Sequence, residues 1–236
     1  MTAGISTKLF ADGADLKAIL ELTRNPEIKG FTTNPTLMRN AGIADYESFA
    51  HELIEHVPEL PISFEVFADD DKEILRQAQK IATWGENVYV KIPVTTTRGD
   101  SLSNVVQSLS ESGVKVNVTA IFTLDQVKEM TDAVADGAPS NLSVFAGRIA
   151  DAGVDPVPLV REAVSIMKGA ERSECIWASP REVLNLVQAN EVGCHIITMT
   201  HDLLKKLSSI GKPLDQFSLE TVQMFHRDAT TAGFAL

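Results

Sequence analysis

The chain has 236 residues, 44% of them hydrophobic and 22% charged, which is long enough to bury a sizeable core and far from disordered or collagen-like composition. Its formal net charge of -11 argues against a nucleic-acid groove or an anionic membrane surface as partner, because both repel such a chain at long range. Small metabolites remain, and an anionic one needs a local cluster of Arg side chains and backbone N–H donors to outweigh the global field.

Short β-rich runs alternate with longer helix-patterned stretches from one end of the chain to the other, as in repeated βα units around a parallel sheet. A strand at 8–11 precedes an amphipathic helix at 15–24, and a strand at 30–33 precedes a helix at 45–56. The strand 62–66 is followed by a helix at 72–84, and the strand 88–92 by a helical run that Ser101 is placed to cap. The strand 116–120 leads through Thr123, a second cap, into a helix at 124–135, and a sixth strand follows at 142–146. The strand 175–178 leads through a third expected cap, Ser179, into a helix at 181–189, and the last strand lies at 195–199. Eight such units predict a single-domain α/β fold, a (β/α)8 TIM barrel, with an open doubly wound sheet as the alternative. The tail 214–236 reads as one more helix, with Val222, Met224 and Phe225 near one side, that packs on its own barrel mouth or on a neighbour.

In a barrel, functional groups gather at the C-terminal ends of the strands. Asp12, Asn34, Glu65 and Lys91 fall there, as do Asn117 and Thr119, which are two apart on one strand and so face the same way. Lys91 is the sharpest signal. Inside the apolar run VYVKIPV it is either desolvated in the barrel, which favours the neutral amine that a Schiff base needs, or it snorkels to solvent from an edge. Taken singly, Asn34 is also a turn residue before Pro35, Asp12 a cap for the helix near Asp15, and Glu65 a buried partner for a cation.

Four runs, GFTTNPTLM at 30–38, VYVKIPV at 88–94, VNVTAIFT at 116–123 and LSVFAGRI at 142–149, occur in an order that resembles transaldolases. The resemblance covers nearly the whole chain, and the length is similar to the short subfamily that includes fructose-6-phosphate aldolase. It implies Lys91 as Schiff-base lysine, Asp12 as acid/base at the substrate hydroxyl, and Glu65 with Thr119 as holders of a proton-shuttling water. It implies Asn34, Asn117 and Ser143 as ligands of the dihydroxyacetone hydroxyls, and Arg148, Ser179 and Arg181 as the phosphate site, with a helix start at Ser179 adding N–H donors. Glu65 and Phe145 resemble the transaldolase pattern, whereas fructose-6-phosphate aldolase has Gln and Tyr there. A phenyl ring at Phe145 cannot hold a water for protonating the enamine, which favours transfer over release.

The chain departs from the family at Gly13-Ala14, where a small hydroxyl residue and then Ala are usual, and in the loop TTTRGD at 95–100. A lyase of the fructose-6-phosphate aldolase kind, a non-catalytic sugar-phosphate-binding barrel, and another phosphate-binding barrel enzyme such as an isomerase or decarboxylase are the competing readings. Neither metal nor cofactor is implied: His51, His56, His195, His201 and His226 are scattered without paired ligand spacing. Cys175 and Cys194 have no metal-ligand or disulfide-scaffold spacing, and with no signal-peptide h-region the expected location is cytoplasmic. The expected partners are small-molecule sugar phosphates, without nucleic acid or membrane, and the resemblance implies a homo-oligomer, a pentamer or decamer.

Overall fold

The computed structural model describes residues 4–234. In chain order the elements are β1 (Lys8–Asp12), α1 (Leu16–Leu22), β2 (Ile28–Thr32), α2 (Pro35–Asn40), α3 (Tyr46–His56), β3 (Ile62–Glu65), α4 (Asp71–Ala82), β4 (Val88–Pro93), α5 (Ser103–Glu111) and β5 (Val116–Ile121). There follow α6 (Leu124–Val134), β6 (Ser140–Val144), α7 (Ala146–Asp151), α8 (Pro156–Ile166), β7 (Ser173–Trp177), α9 (Leu184–Glu191), β8 (Ile196–Thr200), α10 (His201–Lys205) and α11 (Leu214–Ala232). All eight strands pair in parallel in sequence order, and β8 closes on β1, so the sheet is a barrel rather than an open sheet.

Strand alternation divides the side chains between two environments. Phe64, Val90, Ile92, Val118, Leu142, Trp177 and Ile197 point outward and are fully buried under the helices, where each large apolar side chain contributes ~1.5–3 kcal/mol of burial free energy. Inside the barrel a small apolar plug of Phe10, Ile176, Ala178 and Ile196 forms the floor. Gly30, the register partner of Phe10, makes room for that ring: a Cβ there would lie 2.5 Å from Phe10 Cζ. Above the plug the inward positions turn polar.

The helix starts follow local capping chemistry, with corrections to three expectations. Thr123 forms a full capping box with Gln126, and Asp15, Asp45 and Asp70 each accept an N–H of the first turn. Ser101 lies one residue too early: Leu102 holds the cap position, although the Ser101 hydroxyl still accepts the Ser103 N–H at 3.2 Å. Ser179 starts no helix. Its φ of +60° is left-handed, the following Pro180 disfavours helical geometry, and α9 begins only at Leu184. Asn185 takes over instead, its Oδ1 accepting the N–H groups of Arg181 (2.7 Å) and Glu182 (3.1 Å). The sixth strand ends at Val144, so Phe145 and Ala146 belong to the turn and first residue of α7 rather than to a strand. The connections from β2 to β3 and from β6 to β7 each hold two helices.

The predicted tail helix forms as α11, closed by Gly233 at φ +68°, and none of its residues is buried. Residues 235–236 of that prediction lie outside the described residues. Among the described residues no helix is long and apolar enough to cross a membrane.

Candidate active site

A cavity of about 440 Å³ opens at the C-terminal ends of the strands, and all eleven residues singled out from the sequence line it. Lys91 on β4 stands at its centre, 7% exposed, so the solvent-snorkelling alternative is excluded. Its Nζ donates to the Thr33 carbonyl at 3.1 Å and lies 3.4 Å from Glu65 Oε2, on the adjacent strand at the same level. The lysine is thus held by one hydrogen bond to a neutral carbonyl and one ion-pair contact with a carboxylate.

Asp12, the last residue of β1, faces the same space. Burial pushes its carboxyl above the ordinary value of 3.8, while the Lys91 charge and hydrogen bonding from Thr32 and Asn34 pull part of the way back. The Thr32 hydroxyl donates to Asp12 Oδ1 at 2.8 Å and meets the Thr198 hydroxyl at 2.6 Å, which orients the carboxylate from β2 and β8. The Gly13-Ala14 departure leaves this intact, since the Gly13 N–H bonds the Thr32 carbonyl at 3.1 Å. Asn34 does two things at once: its Oδ1 caps α2 at the Leu37 N–H (2.9 Å), and its side chain reaches Asp12.

On the opposite wall Asn117 Nδ2 donates to Ser63 Oγ at 2.9 Å, and Ser143 Oγ donates to Asn117 Oδ1 at 2.8 Å. This chain fixes the Asn117 amide across three strands. Thr119 Oγ1 is buried and has no hydrogen-bond partner, an exception that calls for one from a ligand or water. The next residue, Ala120, has φ +60° where the β5–β6 register breaks, so the strand end carrying Thr119 is backbone strained against the cavity.

The cationic end lies over β6 and β7. The Arg148 guanidinium sits 5.3 Å from the Phe145 ring centroid, a cation–π contact that keeps it at the mouth. Arg181 is held by Asp151 through two hydrogen bonds, from Nε to Oδ1 at 3.0 Å and from Nη2 to Oδ2. The anticipated helix N-terminus at Ser179 is absent, so this end relies on the two guanidinium groups. Gly147 allows the two loops to meet: its N–H bonds the Ala178 carbonyl at 3.3 Å, and a Cβ there would fall 1.5 Å from the Ser179 carbonyl oxygen.

Several lining or supporting residues escaped the sequence reading. Thr32, Ser63 and Thr198 share the inward parity of Asp12, Glu65 and Thr200 and were open to the same alternation argument. Tyr46 and Asp151 sit on helices and carried no such signal. The loop 95–100 does not line the cavity; Thr97 is tied through its N–H (2.7 Å) and hydroxyl to Asp69 beside a neighbouring recess. Among the described residues no cluster of three or more His, Cys, Asp or Glu is placed to hold a metal ion.

Fold and cavity together define a (β/α)8 barrel with a polar cavity at the C-terminal strand ends. The family described as Transaldolase/Fructose-6-phosphate aldolase matches residues 9–236, and the chain belongs to it. It is 37% identical over 202 residues to a probable transaldolase of Dehalococcoides mccartyi, covering 85% of this chain and 89% of that one. A probable transaldolase of Thermoanaerobacter sp. is 32% identical over 230 residues, 97% of this chain and the full length of the relative. Among solved structures, KGPDC from Streptococcus mutans aligns with a TM-score of 0.57 at 13% identity, covering 83% of this chain and 88% of that one. A 2,3-dimethylmalate lyase aligns at 0.55 and 12% identity over 98% and 86%. These two likenesses concern the barrel fold alone, whereas the family and its relatives make the chain a transaldolase-type enzyme.

Proposed function

We propose that the chain is a transaldolase that passes a dihydroxyacetone unit from a ketose phosphate, such as fructose 6-phosphate or sedoheptulose 7-phosphate, to an aldose phosphate acceptor in the pentose phosphate pathway. The observation that carries this is the convergence of Lys91, Glu65 and Asp12 in one cavity, with the lysine amine 3.4 Å from one carboxylate and electrostatically coupled to the other. The Lys91 amine adds to the ketose carbonyl, and the resulting hydroxyl leaves as water with a proton delivered by a water held between Glu65 and the otherwise unpartnered Thr119 hydroxyl. Asp12 then removes the proton from the hydroxyl next to the breaking carbon–carbon bond. The bond's electrons pass to the iminium nitrogen, the aldose phosphate departs, and an enamine remains on Lys91. Asn34, Asn117 and Ser143 hold the three-carbon unit, and Arg148 with Ser179 and Arg181 hold the phosphate.

The enamine waits for an acceptor because Phe145 offers no hydrogen bond to a water that would protonate it. Addition to the acceptor aldehyde runs the steps in reverse, with Asp12 returning its proton to the new alkoxide. The enzyme works as a homo-oligomer, by family resemblance a pentamer or decamer, without metal or cofactor. A cytoplasmic location accords with two buried free thiols, Cys175 and Cys194.

The test is the intact mass after incubation with fructose 6-phosphate and borohydride, alongside Lys91→Met. A three-carbon adduct is expected that requires Lys91 and is lost when erythrose 4-phosphate precedes reduction. An adduct that disappears without acceptor turns the assignment to an aldolase; no adduct from any ketose phosphate refutes Schiff-base chemistry.

A further inference from the structure

The way β3 is held at its upper end identifies a residue outside the cavity. Strand β2 pairs with β3 only through Phe31 with Ile62 and Thr32 with Ser63, with the Phe31 N–H on the Pro61 carbonyl (2.8 Å) and the Thr33 N–H on the Ser63 carbonyl (3.3 Å). One step further, the same parallel ladder would place the Glu65 N–H on the Thr33 carbonyl, and the N–H of residue 35 on the Glu65 carbonyl. Neither bond forms. Residue 35 is proline, which has no N–H, and the Thr33 carbonyl accepts from Lys91 Nζ instead. Glu65 would be left with an orphan donor and an orphan acceptor on that edge.

Both are taken by one atom. The Tyr46 hydroxyl, projecting from the first turn of α3, accepts the Glu65 N–H at 2.7 Å and donates to the Glu65 carbonyl at 3.0 Å. Its ring is fixed by edge-on contacts with Phe64, Phe67 and Trp84, at centroid distances of 6.1, 4.7 and 5.7 Å. Burial drives the phenol's pKa far up, so the donated proton stays on oxygen at any working pH. On its other edge the strand is secured by the Val66 N–H to the Lys91 carbonyl at 3.1 Å.

We propose that Tyr46 is a positioning residue: its hydroxyl replaces the missing β2 partner and so fixes the Glu65 carboxylate against Lys91. The inference rests on the reading of Lys91 and Glu65 as the reacting amine and its proton shuttle. Without the hydroxyl, the upper end of β3 loses its anchor on the β2 side, and the carboxylate swings with the strand end.

The experiment compares wild type, Tyr46→Phe, Glu65→Gln and the double variant, measuring the single-turnover rate of borohydride-trappable adduct formation with fructose 6-phosphate, and KM. Tyr46→Phe keeps the ring and is expected to slow adduct formation roughly tenfold or more with little change in KM, as sub-ångström displacement of a reacting group does. In the Glu65→Gln background the same change should cost less than about twofold, because it acts through Glu65. Equal fold losses in both backgrounds, or a wild-type rate in Tyr46→Phe, overturn the proposal while leaving the Schiff-base reading standing; a wild type that traps nothing overturns both. Should Tyr46→Phe fail to fold, amide hydrogen exchange of the wild type decides: strong protection of the Glu65 N–H is expected, and rapid exchange refutes its bond to Tyr46.

Discussion

Asp12 shows what one buried acid costs the fold and what it would give the proposed chemistry. Desolvation raises its pKa, so between the ordinary 3.8 and the raised native value the folded state keeps a proton that the unfolded chain has lost. Stability therefore falls as pH rises through that window and carries the full penalty above it. Asp12→Asn should melt higher than wild type near neutral pH, with the gain vanishing as pH falls toward the ordinary value, while carbon–carbon cleavage is lost. Calorimetric melting across pH checks this, and a variant that is uniformly less stable would contradict it. The same shift makes the carboxylate a stronger base, so the acid limb of kcat should lie above the pH of an exposed aspartate. Such residues were legible because they sit on strands: period-2 alternation puts Asn117 and Thr119 on one face, and an apolar run makes Lys91 conspicuous. Tyr46 was illegible for the converse reason. Its ring reads as an ordinary apolar position of α3, and the two bonds that give its hydroxyl meaning depend on where β2 stops pairing.

At the scale of elements, the cavity depends on loops that meet at fixed distances, and Gly147 is the tightest such meeting. Gly→Ala at an unstrained helical site ordinarily stabilises by ~0.4–1 kcal/mol, but here the added Cβ would stand 1.5 Å from the Ser179 carbonyl oxygen. That contact lies far inside any van der Waals distance, and backbone on both sides leaves little freedom to relax, so the clash wins. Gly147→Ala should push the β7–α9 loop away from α7, carrying Ser179 and Arg181 off the mouth. Expected is a rise of roughly tenfold or more in KM for phosphorylated ketoses, consistent with losing a charge-assisted contact worth ~1.5–3 kcal/mol. Trapping of unphosphorylated dihydroxyacetone on Lys91 should be unchanged. Parallel loss with both ligands would place the damage in the barrel instead. The strands and most helices were readable because their periods and caps are local. The Ser179 cap was misplaced because a Ser-Pro pair looks the same whether Ser179 takes extended or left-handed geometry. Only its packing under Gly147, and the Asn185 side chain that caps the segment instead, separate the two.

For the molecule as a whole, eight alternating units suggested closure, which the β8–β1 pairing decides against an open sheet, but the sequence alone left two destinations for the last helix. Helix α11 runs 19 residues and buries none of them; Phe225 is 63% exposed, and Leu214, Leu219 and Val222 are open as well. A helix of this length without tertiary packing is only marginally stable in water, and an apolar side of this kind ordinarily finds cover. Its own barrel does not supply it, so a second copy of the chain is the expected cover, in line with the proposed homo-oligomer. The net charge of -11 per chain opposes that association, so apolar burial must carry it and salt should strengthen it by screening. Sedimentation of the full chain should give a multiple of 25.6 kDa whose assembly tightens between low and moderate salt. Removal of residues 213–236 should release folded monomers that still trap dihydroxyacetone on Lys91, since no residue of α11 lines the cavity. A full-length chain that sediments as a folded monomer at every concentration would refute the oligomer and leave α11 exposed for some other purpose.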